Sequence, residues 1–166
     1  MGSAPTEAAV EVAVTIAASP DTVFDFFTDP GKMIQWMGRD ADLDPAPGGV
    51  MRCDINGRDI ASGEFVELDP PNRLVFTWGW ESEESVTQPG SSTVEVSFTP
   101  QGDDTVVTLS HRDLVTPESR EAHSHGWNHY MERLAAAATG ADPGADPWAT
   151  PEGADEDFDE DGKTRR

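Results

Sequence analysis

The sequence predicts an α+β domain in which one strand and two short helices precede an antiparallel run of strands, and a long helix closes the fold. Three observations predict it. Apolar residues alternate in the first segment and again between residues 49 and 112, and turn dipeptides punctuate the later alternation at short intervals. A capped amphipathic stretch then begins at Thr116.

Each element has a local reason. From Val10 to Ser19, Val10, Val12, Val14 and Ile16 alternate with smaller or polar residues, as in a half-buried strand. In "SPDTVFDFFTDP" Ser19 is the cap, Pro20 occupies the first turn, and Val23, Phe24 and Phe27 form an apolar stripe that Asp29-Pro30-Gly31 ends. "GKMIQWMG" adds a second short helical turn carrying Met33, Ile34, Trp36 and Met37. Strands are expected near 49 to 56, 59 to 68, 73 to 81, 92 to 100 and 104 to 112, with turns at Pro47-Gly48-Gly49, Asn56-Gly57 and Asp69-Pro70-Pro71-Asn72. Their short links favour an antiparallel meander. In the last helix Thr116 caps, Pro117 opens and Glu118 faces the positive end of the dipole; it runs to about Ala138 and stops at Gly140.

The division is therefore 1–9 flexible, 10–139 one domain, and 140–166 a disordered acidic tail without periodicity in which Trp148 is stranded. With 32 acidic and 11 basic residues the net charge is −21, a field that repels phosphate backbones and anionic headgroups, so nucleic acid and membrane are poor partners. The single cysteine, Cys53, excludes an internal disulfide and a multi-cysteine metal cluster, and no apolar run has the length of a signal or spanning segment. A cytoplasmic location fits this composition best.

Alternation and helical spacing sort the candidate site residues into faces. Leu74, Phe76, Trp78 and Trp80 share one side of their strand; Val94, Val96 and Phe98 share one side of the next; Val107, Leu109 and His111 share one side of the last. In "HSHGWNHYMERL" His123, Trp127, Tyr130, Met131 and Leu134 form one face, whereas His125, His129 and Glu132 lie on the opposite one. The His125/His129 pair has the spacing of two metal ligands but sits away from the apolar stripe, so it reads as a solvated face and no metal is expected. His111 and His123 both point toward the space between sheet and helix. Three readings stay open for them: core histidines satisfied by backbone carbonyls, polar groups of an apolar ligand pocket, or an acid/base pair for which no nucleophile or oxyanion hole is visible. Cys53 alternates with Met51 and Ile55 and reads as a small buried hydrophobe.

The element order and the stretches "DPPNRLVFTW" (69–78), "TLSH" (108–111) and Gly126-Trp127 resemble the bacterial SRPBCC (START-like, Bet v 1-like) superfamily. Within it they resemble the branch named after the C-terminal domain of the activator of the ninety-kilodalton heat-shock protein ATPase. The likeness covers residues 10 to 139. It implies a helix-grip fold, a curved antiparallel sheet gripping the long helix, with a cavity that in many relatives binds a hydrophobic or amphipathic small molecule. On that fold the cavity wall is Met33, Trp36, Met51, Cys53, Phe65, Phe76, Trp78, His111, His123, Trp127 and Met131.

The expected function is binding of such a molecule, without catalytic residues or cofactor. Two alternatives accompany it: an enzyme, such as a cyclase, dehydratase or hydrolase acting on an aromatic or polyketide-like substrate, and a chaperone-linked interaction module whose acidic tail docks a basic protein.

Overall fold

The computed structural model describes residues 9–149. Most of the expected flexible start and residues 150–166 of the expected tail lie outside the described residues. In chain order the elements are β1 (Val10–Ile16), α1 (Pro20–Thr28), α2 (Pro30–Met33), β2 (Asp40–Leu43), β3 (Val50–Asp54), β4 (Ile60–Asp69), β5 (Arg73–Trp78), β6 (Ser92–Gln101), β7 (Asp104–Arg112) and α3 (Pro117–Ala138). All seven strands form one sheet in the order β1-β7-β6-β5-β4-β3-β2, every neighbouring pair antiparallel. β2 to β7 are therefore a meander, and β1 adds to its far edge. The curved sheet, short helices and long C-terminal helix are the helix-grip arrangement.

The helix starts follow the cap chemistry of the sequence. Ser19 Oγ accepts from the Thr22 N–H at 3.3 Å, and Thr116 Oγ1 accepts from the Ser119 N–H at 3.0 Å. α3 ends before Gly140, whose φ of +84° lies in the region glycine occupies without penalty.

Register explains why the sheet has one apolar face. Phe65 pairs with Phe76, Phe76 with Val94, Val94 with His111 and His111 with Val10, so one inward row crosses five strands. The next row is Leu74, Val96, Leu109 and Val12. α3 covers these rows with Ser119, His123, Trp127, Tyr130, Met131, Leu134, Ala137 and Ala138. On the outer face Glu95 receives Arg73 at 2.9 Å and Arg112 at 3.1 Å.

Two strands differ from expectation. β2, "DADL", went unnoticed because only Ala41 and Leu43 alternate in a strongly acidic stretch; its pairing with β3 makes it a strand. β5 ends at Trp78 instead of 81, and Trp80 keeps only an isolated bridge to Ala61. A side chain on Gly79 would run into the Gln88 carbonyl, so glycine there lets the 79–91 loop fold back on itself.

Candidate functional site

All eleven expected wall residues are buried in one core between the sheet and the helices. Exposures between 0 and 6% leave little of their surface open to solvent or to any internal void. Ring contacts link Phe65 to Phe76 and Phe76 to Trp78, both at 6.2 Å, then Trp78 to Trp127 at 5.0 Å. His111 stands 6.1 Å from both Trp78 and Trp127, and 4.8 Å from His123. Trp36 belongs to another part of the core, against Phe27 at 5.0 Å and Tyr130 at 6.5 Å, with its Nε1 donating to the Phe26 carbonyl. Cys53 Sγ is directed at the Met37 carbonyl.

The two histidines meet, as their faces require, and each is held by a tryptophan. Trp127 Nε1 donates to His111 Nδ1 at 3.0 Å, and Trp80 Nε1 donates to His123 Nε2 at 3.0 Å. An indole N–H only donates, so the nitrogen that receives it carries a lone pair and the proton sits on the other nitrogen. His111 is accordingly protonated at Nε2, which reaches Ser92 Oγ at 2.8 Å, and Ser92 donates onward to the Trp78 carbonyl at 2.8 Å. His123 is protonated at Nδ1, which donates to the Ser119 carbonyl at 2.8 Å. Ser119 Oγ and Thr87 Oγ1 lie 3.0 Å apart behind it.

Burial governs the titration of this cluster. Desolvation, with a smaller contribution from His123, holds His111 well below the ordinary imidazole range. Desolvation likewise lowers His123 to about 4, against the opposing pull of the Ser119 carbonyl. Burial, then Asp54 and Asp40, push the Cys53 thiol up to about 12, so it is no nucleophile at neutral pH. Both imidazoles are neutral and their only lone pairs are occupied. In this arrangement neither takes a proton from a substrate.

Several members of the cluster escaped the sequence reading. Ser92 carried a signal, since it continues the inward alternation of Val94, Val96 and Phe98. Ser119 did too, standing one helical turn before His123 on the same face. Thr87 gave none, because the 79–91 loop has no period.

The opposite face of α3 requires a correction. His129 and Trp148 were expected in solvent, but residues 143–148 return against α3. His129 Nε2 and Asp146 Oδ1 are 3.0 Å apart, and the Trp148 ring stacks on His129 with centroids at 3.8 Å. Trp148 also approaches His125 at 5.3 Å and Tyr130 at 5.6 Å, while Asn56 Nδ2 donates to its carbonyl. Arg133 ties the segment to the core, donating from Nε to the Trp36 carbonyl and from Nη1 to the Pro143 carbonyl. A stacked indole buries more apolar area than the acidic composition indicated. Glu132 remains exposed, and among the described residues no group of three His, Cys, Asp or Glu is placed to hold a metal.

The family model described as activator of Hsp90 ATPase homolog 1-like protein matches residues 17–139. The chain belongs to this family. An AHSA1-like protein from Rhizobium etli is 40% identical, with a TM-score of 0.68 over 84% of this chain and 87% of that one. DynU16, a protein in the dynemicin biosynthetic locus, is 24% identical with a TM-score of 0.72; the match takes in 84% of this chain and only 50% of DynU16. An HSP90 activator from Plasmodium falciparum is 21% identical, with a TM-score of 0.60 over 76% and 92% of the two chains. The last two likenesses show the fold alone. Among curated proteins no sequence matches. The AHSA1-like fold thus places the indole–imidazole cluster between its sheet and its long helix. Among the described residues no helix is long and apolar enough to cross a membrane.

Proposed function

We propose that this AHSA1-like protein binds a hydrophobic or amphipathic small molecule between the sheet and α3, without chemistry. The observation that carries the reading is the state of the two histidines. All four of their ring nitrogens are bonded within the protein and both rings are neutral, so they offer a substrate neither base nor acid, and a ligand here meets chiefly an apolar, aromatic wall. The core can also adapt. Met33, Met37, Met51 and Met131, four of the chain's five methionines, are buried in it, and their unbranched side chains re-pack around an entering ligand at low cost.

DynU16 and the Plasmodium HSP90 activator share the fold with this chain, so the enzyme and interaction readings draw no role from them. An enzyme would need an imidazole released from its tryptophan.

Titration with the neutral fluorophore N-phenyl-1-naphthylamine tests the binding reading. The expected result is saturable binding with energy transfer from tryptophan, weakened about tenfold or more by Met131→Trp, which overfills the core. Absence of saturation contradicts it. If His111→Ala and His123→Ala abolish a turnover while leaving probe affinity within about a factor of two, the enzyme reading replaces it.

A further inference from the structure

The interior tryptophans differ in one respect. Trp36 donates to the Phe26 carbonyl, Trp80 to His123 and Trp127 to His111. Trp78 Nε1 is buried and has no hydrogen-bond partner, although the residue is only 3% exposed. The Trp78 ring packs against those of Trp127 at 5.0 Å, Trp80 at 5.5 Å, His111 at 6.1 Å and Phe76 at 6.2 Å between centroids. Ring faces are weak acceptors and do not replace a conventional one. Buried indole N–H groups ordinarily find a partner, and one that does not stands out against the three that do.

We propose that Trp78 Nε1 is the hydrogen-bond anchor of the ligand, and that the ligand is a neutral molecule presenting an acceptor, such as a carbonyl oxygen, with no proton donor at that end. This rests on the binding function proposed above and narrows it to a chemical class.

The exclusions follow from the same geometry. A hydroxyl in the same place would satisfy Trp78 but bring its own hydrogen toward imidazoles whose lone pairs are already taken by Trp80 and Trp127. The described ring neighbours of Trp78, tryptophan, phenylalanine and neutral histidine, offer a carboxylate no positive charge, and the chain's net charge of −21 repels it. A pure hydrocarbon would leave the N–H unpaired. Only an acceptor without a donor gains at this position.

The bicyclic series indane, 1-indanol and 1-indanone, nearly equal in shape, separates these cases. The readout is the indole N–H signal of Trp78 in a nitrogen-15 correlation spectrum of the full chain, assigned by through-bond experiments and by Trp78→Phe. Free protein should show the Trp78 proton upfield of those of Trp80 and Trp127. 1-Indanone should move it downfield and bind roughly 3- to 10-fold tighter than indane, with 1-indanol gaining less. Trp78→Phe should abolish the preference for the ketone. If indane and 1-indanone bind alike and the Trp78 signal stays in place, the anchor is wrong and the binding function stands. If none of the three binds up to its solubility, both are overturned. Because the spectrum is read on the unsubstituted protein, a poorly folded Trp78→Phe variant would not remove the test.

Discussion

At the scale of single residues, the two buried imidazoles link stability to pH. Their folded pKa values lie below the ordinary imidazole value near 6.5, so the unfolded chain takes up protons first as pH falls. Each contribution is complete above about pH 6.5 and falls as the pH drops below it, with a slope of up to ~1.4 kcal/mol per pH unit for each histidine; for His123 the fall ends near its folded value of about 4. Urea titrations across that range should show the fall, and His123→Gln should flatten it; an unchanged slope would show that His123 does not titrate as described. Nitrogen-15 imidazole spectra should find opposite tautomers, with the proton of His111 on Nε2 and that of His123 on Nδ1. Trp127→Phe removes the donor to His111 and should cost about 1 to 3 kcal/mol in urea unfolding. The inward orientation of both histidines was legible from alternation and helical spacing. Their tryptophan partners were not, because pairs such as Trp80–His123 are set by how a loop and a helix meet in space, which no local period encodes.

At the scale of elements, the return of residues 143–148 onto α3 is a separable unit. Burial works against ionisation of Asp146, but His129, the Trp148 N–H and Arg133 outweigh it and hold the carboxyl below its usual range. Trp148→Ala removes the stack on His129 and should cost about 1 kcal/mol. Hydrogen exchange should quicken across 141–148 in that variant while β5 to β7 keep their protection; equal protection in both proteins would mean that the stack does not hold the segment. The strands β3 to β7 and the caps of α1 and α3 were legible because alternation, turn residues and cap residues agreed. β2 was hidden by its aspartates, and the packing of Trp148 was hidden by the acidic composition around it. In both cases a tertiary contact overrode a local signal.

At the scale of the whole molecule, the charge of −21 acts on a fold held together by an apolar core. Screening this self-repulsion by raising salt from about 20 to about 300 mM should lift the melting temperature by roughly 2 to 5 °C. Family and helix-grip architecture were legible from element order together with stretches such as "DPPNRLVFTW". The way the core closes on itself was not, since the packing of Met33, Met51, Trp78 and Met131 depends on tertiary geometry and not on which residues they are. The proposed binding requires this core to open around a small neutral molecule. Native mass spectrometry of the full chain purified from its own source tests it most directly. A species heavier than the bare chain is expected, its extra mass leaving on denaturation as an uncharged organic compound; a spectrum containing the bare chain alone would contradict binding.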